Sequence, residues 1–281
     1  LHSHDNRTGT DAKAEGDRSM NWQYLNVERR GRVAVVCFQR GDGRNAMSRD
    51  LIRELTEVAR SFENDSETSA IVLTADGANF CYGFDLNDSG GDAERSLAER
   101  RVIQSLGPRL CAAWAALEPV TIAAVEGWCV GGGMALIAGL DLRVASASAR
   151  LYIPEIERGM NMSWQSIPRL VSLIGAPRTR RMTLLAERVD AATALAWQLV
   201  DEVVPQGQAF DAALAMAERV AALPPVQVRM CKEGINLAAG ALHQAVSTMD
   251  RDQFVLAQAS EDYQEGVRSF LEKRPPVFRG R

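Results

Sequence analysis

Three apolar runs constrain this chain more than anything else in it. RVAVVCFQ (Arg32 to Gln39), AIVLTA (Ala70 to Ala75) and TIAAVEG (Thr121 to Gly127) are short, rich in β-branched residues and apolar at nearly every position. A strand with one wet face alternates polar and apolar residues, whereas a continuous run marks a strand covered on both faces, as in a parallel sheet. Parallel strands need crossover segments, and the intervening stretches carry helical spacing. After a turn at Gly41 and Gly43, Ser48 caps a predicted helix with Leu51, Leu55 and Val58 on one face. Ala93 to Leu117 reads as helical with an interruption at Gly107-Pro108. Met134 to Leu140, apolar nearly all round, predicts a buried helix. LRVAS and LYI predict two more short strands.

From about Pro168 helical patterns dominate: Pro177 to Val189, Ala191 to Leu199, Phe210 to Leu223, Val226 to Ala239 and Leu242 to Glu272. Strand and helix first, helices afterwards, predict an α/β core followed by an α-helical C-terminal part. Three segments are expected: a flexible polar N-terminal tail over residues 1–20, a core over 21–200 and a helical region over 201–281. No repeat period of a solenoid is visible.

Composition removes several function classes. Lys and Arg number 32 against 36 Asp and Glu, a formal charge of −4 with signs interspersed, so nucleic acid is not expected as the main partner. No run reaches the ~18 apolar residues of a membrane span, and the tail has no apolar signal-peptide core. The five cysteines are scattered in apolar surroundings without metal-ligand spacing, which predicts free thiols, a cytoplasmic location and no metal site. Of the three histidines, His2 and His4 lie in the tail, so a Ser–His–Asp or Cys–His constellation would rest on His243 alone. The glycine run at 131–133 is followed by no Lys-Ser/Thr, and its spacing is not that of a dinucleotide fingerprint.

What remains is a pair of glycine-containing turns, each directly after a strand. GANFCYGFDL (Gly77 to Leu86) follows AIVLTA, and EGWCVGGGMAL (Glu126 to Leu136) follows TIAAV. Glycine lets backbone approach a ligand closely, and the helix starting at the second turn offers unbonded N–H groups. Two such turns side by side can present two N–H donors to one oxygen, the arrangement of an oxyanion hole. Either turn alone is equally a tight connection.

These segments resemble the crotonase (enoyl-CoA hydratase/isomerase) superfamily. FCYGFDL is similar to its F-C/S-A-G-A-D-L segment, and EGWCVGGGMALIAGLDLRVAS to its N-G-x-x-x-G-G-G-x-E-L-x-x-x-C-D-x-R-I-A segment. The resemblance also takes in GRNAMSRDLIREL (Gly43 to Leu55), YIPEIERGMNMSWQSIPRL (Tyr152 to Leu170) and SEDYQEGVRSFLEKRPPVFRGR at the C-terminus. It implies a spiral of β-β-α units, helices that support a homotrimer or hexamer, and an acyl-CoA thioester as substrate with no further cofactor. It also implies that the N–H groups of Phe84 and Gly132 hold the thioester carbonyl. Arg44, Ala46, Tyr82 and Asp85 would lie beside the CoA, and basic C-terminal residues with Phe278 near the CoA nucleotide, in some members that of a neighbouring subunit. Trp128 and Trp164 are candidate pocket residues.

Two carboxylates serve hydration in the hydratases. One corresponds to Glu155; the other falls on Ala135, where a methyl group can neither hold a water nor transfer a proton. A double-bond shift needs one carboxylate that removes a proton at one carbon and returns it at another, so the resemblance favours enoyl-CoA isomerase-type chemistry through a stabilised enolate. The open alternatives are a hydratase in which Glu126 or Glu157 compensates, and a non-catalytic binder of acyl-CoA or RNA.

Overall fold

The computed structural model describes residues 22–281; the tail expected over residues 1–20 lies outside them. β1 (Leu25–Arg30) turns at Gly31 into β2 (Val33–Phe38), and α1 (Arg49–Ser61) leads to β3 (Ala70–Ala75). Next come α2 (Leu97–Ile103), α3 (Leu106–Ala115), β4 (Val120–Val125), β5 (Trp128–Val130), α4 (Gly132–Ile137), β6 (Leu142–Ser146) and β7 (Arg150–Tyr152). A 3₁₀ turn, Glu155–Arg158, follows. The chain continues through α5 (Ser166–Leu184), β8 (Val189–Asp190), α6 (Ala191–Ala196), β9 (Glu202–Val204) and α7 (Ala209–Ala221). It ends with α8 (Pro225–Gly240), α9 (His243–Ser247), α10 (Asp250–Gln258) and α11 (Glu261–Glu272).

A six-stranded sheet in the order β1-β2-β3-β4-β6-β9 is parallel except for the β1–β2 pair. Its apolar runs are covered on both faces, as their patterning requires. Ala34, Val36, Phe38, Ile71 and Leu73 join the larger core with α1, α3 and α4. Val33, Val35, Val72, Ile122 and Val144 face Ala209, Ala213 and Ala217 of α7, whose small side chains let that helix lie close to the sheet. A second sheet, β5-β7-β8, stands beside the first.

β3 and β4 are neighbours running the same way, so the loops that leave them emerge side by side at one edge of the sheet. Two single-residue bridges carry the pairing into those loops: Cys81 with Cys129, and Met47 with Phe84. Ligands of open α/β sheets bind at such strand C-termini.

Several expectations are corrected. β1 is a wet edge strand, LNVERR, whose polar outer residues hid it from an apolar search. The break in the 93–117 helical stretch falls at Gln104–Ser105, between α2 and α3. Gly107-Pro108 lies within the first turn of α3, where a proline N–H is not needed. The expected Leu242–Glu272 helix is three helices, the last capped by the Ser260 hydroxyl accepting from Tyr263 N. Beyond residue 200, β9 extends the six-stranded sheet and α7 covers it. α8 is pinned to the same sheet by Lys232, whose ammonium meets Asp141 Oδ2 at 2.6 Å while Asp141 accepts from Thr121 N at 2.7 Å. Among the described residues no helix is long and apolar enough to cross a membrane.

Candidate active site

The two loops and the turn after β7 enclose a cavity of about 730 Å³. Gly83 (φ 84°) and Gly131 (φ 50°) hold left-handed conformations that bring the loops together. A Cβ on Gly83 would stand 2.9 Å from Val130 O and 3.4 Å from Gly132 N, so no other residue fits there unstrained. Gly83 O accepts from Met47 N at 2.7 Å, and Asp85 N donates to Met47 O at 3.0 Å. The N–H between them, that of Phe84, has no acceptor among the described residues; nor has Gly132 N, at the start of α4. Both residues line the cavity.

Glu155 opens the 3₁₀ turn, and its carboxylate lies over Gly131, where any Cβ would collide with Oε1. Oε2 is buried without a hydrogen-bond partner. Burial pushes this carboxyl up to about 7, against the opposing pull of its own backbone amide and of the Arg158 charge. A carboxyl near 7 has both its acid and its base form populated at neutral pH.

Trp164 closes the far side. Its ring packs on Gly107 at the start of α3 and on Gly132, where a Cβ would meet it at 2.7 Å. Trp164 and Gln165 both have φ 58°, a costly conformation for residues with side chains. Asp250 at the start of α10 holds this bend, accepting from Gln165 N at 3.0 Å. Ala135, one turn into α4, lines the same cavity with 1% of its surface exposed.

Arg44, Ala46, Tyr82, Asp85 and Trp128 also line the cavity. Tyr82, Trp128 and Tyr152 form a row with ring centroids 6.4 and 6.3 Å apart. Asp85 is already engaged: its carboxylate receives Arg40 Nη1 at 3.1 Å and caps Asn87 N. Phe278 does not line the cavity of its own chain. The C-terminal segment doubles back along α11, with Asp262 accepting from Arg279 N and Gly280 N at 2.6 and 2.7 Å. This leaves Phe278 on the surface, 43% exposed.

Neither candidate second carboxylate reaches the cavity. Glu126 accepts from Gly207 N and Ala209 N at 3.0 and 3.1 Å, capping α7, and Glu157 accepts from the Tyr152 hydroxyl. Asp92 lines the cavity but is tied to Arg49 Nη2 at 2.5 Å. The sequence reading missed Arg49, Asp92, Arg158 and Tyr263 as lining residues. Arg158 alone left a signal, the three-residue spacing from Glu155 that stacks side chains on one face of a 3₁₀ turn.

A family model described as "Enoyl-CoA hydratase/isomerase" matches residues 28–281. The 2,3-dehydroadipyl-CoA hydratase of Escherichia coli is 32% identical over 257 residues, spanning 92% of this chain and 99% of that one. The short-chain-enoyl-CoA hydratase of Clostridium acetobutylicum is 30% identical over 249 residues, 88% and 94% of the two chains. The crystal structure of an enoyl-CoA hydratase/isomerase from Pseudoalteromonas atlantica superposes with a TM-score of 0.80 at 28% identity, covering 92% of this chain and all of that one.

Proposed function

The chain belongs to the enoyl-CoA hydratase/isomerase family, and on that premise we propose that it shifts the double bond of an enoyl-CoA, with Glu155 as its one proton carrier. Phe84 N–H and Gly132 N–H bind the thioester oxygen. Glu155 takes a proton from C2 of a 3-enoyl-CoA; the C–H electrons move toward the carbonyl, and the oxygen carries the charge of a dienolate. The electrons then return through the conjugated system as Glu155 delivers the proton to C4, leaving the 2-enoyl-CoA. Each backbone donor contributes about 3–4 kcal/mol to such a transition state, and the base about 10²–10⁴-fold in rate.

The observation that carries this reading is the state of the carboxylates. Among the described residues that line the cavity, Asp85 and Asp92 are ion-paired and Glu155 is not. Hydration needs a water held between two free carboxylates; the methyl of Ala135 stands at one of those places. A second reading, hydration of 2-enoyl-CoA, draws support from the relatives, which are named hydratases. Parallel assays of crotonyl-CoA hydration and 3-enoyl-CoA isomerisation separate the two. Faster isomerisation, lost in Glu155→Gln while CoA binding persists, is expected; faster hydration overturns the preference.

The exposed Arg44, Arg188 and Lys273 at the mouth suit the CoA phosphates. Exposed Val226, Met230, Ile235 and Leu237 on α8 suit burial between copies in a homotrimer or hexamer, which light scattering tests. Five free cysteines suit a reducing, cytoplasmic compartment.

A further inference from the structure

Arg158 is a cation lining the cavity that makes no ion pair within 4.0 Å among the described residues, although Glu155 and Glu157 are close enough to act on its charge. It ends the 3₁₀ turn that Glu155 begins, and side chains three apart on such a turn eclipse, so both face the same space. Its guanidinium carbon stacks 4.2 Å from the centroid of the Phe270 ring, on α11. Its Nε is buried without a hydrogen-bond partner, and among the described residues no carboxylate oxygen lies within 4.0 Å of its guanidinium nitrogens. Arg49, the other inner cation, has an unpartnered Nε as well, but its Nη2 is ion-paired with Asp92 at 2.5 Å.

A half-buried arginine set over an aromatic ring, with its Nε shut off from water and unpartnered, is costly unless a ligand completes it. Glu155 does not pair with it directly: no oxygen of that carboxylate lies within 4.0 Å of the guanidinium nitrogens, although the Arg158 charge pulls its carboxyl down from the value burial alone would give. Nor do the CoA phosphates, which lie a pantetheine arm away from the thioester carbon and have the exposed cations of the mouth to meet. We propose that Arg158 binds a second anionic group, a carboxylate, carried by the acyl chain itself, so that the substrate is the CoA thioester of a dicarboxylic acid. This rests on the assignment of Glu155 to the reacting carbons. It adds a requirement that a plain fatty acyl chain cannot meet. An acyl end of carboxylate geometry fits the planar fork of arginine with two parallel hydrogen bonds.

The test uses enoyl-CoA thioesters of equal length, one ending in a carboxylate and the other in its primary amide. Binding is measured by calorimetry to the Glu155→Gln protein, and turnover with the unaltered protein. The acid is expected to bind and turn over about 100-fold better than the amide, the scale of a buried charge pair with one partner removed. Arg158→Leu removes the preference by weakening the acid alone, Arg158→Lys restores part of it, and binding of free CoA is unchanged in both. Equal handling of acid and amide by the unaltered protein overturns the proposal, even if Arg158→Leu fails to fold. A loss of free-CoA affinity in Arg158→Leu as large as the loss for the acid also overturns it, assigning the arginine to a phosphate. Preferential binding of the acid with no turnover of either thioester upholds the anion site and overturns the proton-carrier reading instead.

Discussion

The indole of Trp164 lies against the backbone of Gly132, the residue whose N–H opens α4 into the cavity. The contact is made from a backbone bend that an L-residue adopts at a cost of roughly 1–2 kcal/mol. A tryptophan held this way bounds the cavity beside Gly132.

Trp164→Gly should relieve the φ of 58° while opening the cavity. The expected outcome is a shift of kcat/KM toward longer or branched acyl chains, with a lower rate on the best small substrate. A series of acyl-CoAs of increasing length checks it; an unchanged length profile would mean the ring does not bound the acyl site.

Ala135→Glu places a carboxylate one turn into α4, facing the cavity. Hydration of crotonyl-CoA should rise by tenfold or more relative to isomerisation, as a second proton carrier contributes about 10²–10⁴-fold when well placed. Following the absorbance of the conjugated thioester with both substrates reads the ratio directly.

The pH dependence follows from the raised Glu155 carboxyl. The free protein needs the ionised base, so kcat/KM should climb with pH, about tenfold per unit, and level off above about 7. The same shift acts on stability with a definite sign. The folded state holds the proton more tightly than the unfolded chain, whose value is near 4.5, so the group favours folding below that value. That contribution is lost as pH rises from 4.5 through 7. Glu155→Gln should therefore gain stability over the unaltered protein above pH 7, on the order of 3 kcal/mol. Denaturant unfolding at pH 5 and pH 8 measures the difference.

Gly266 lets α11 meet the turn that carries Glu155 and Arg158; a Cβ there would strike the backbone of Arg158. Gly266→Ala should push helix and turn apart, costing roughly 1–3 kcal/mol of stability. The turn is thereby loosened, so kcat should fall by more than CoA binding weakens. Steady-state kinetics beside a thermal melt would show the two losses together.

Much of the scaffold was legible in the residues themselves. The apolar runs marked β2, β3 and β4, Ser48 marked the start of α1, and the glycine turns marked the loops at the sheet edge. Glu155 was reached through its resemblance to a family motif, and Ala135 through the same motif's missing carboxylate. These signals are short-range: a cap, a strand face or a left-handed turn depends on a few adjacent residues.

Pairing and burial were decided elsewhere. Glu126 is engaged by Gly207 N, 81 positions along the chain, and the segment after Phe278 is held along α11 by Asp262. Arg158 acquires its aromatic support from Phe270, yet no described residue brings a carboxylate within 4.0 Å of it. Whether a charged side chain is satisfied depends on which distant segments fold against it, and on how much water they exclude. Local sequence determined where the acids and bases stand along the chain. Only the packing of remote elements determined which of them remain free to act.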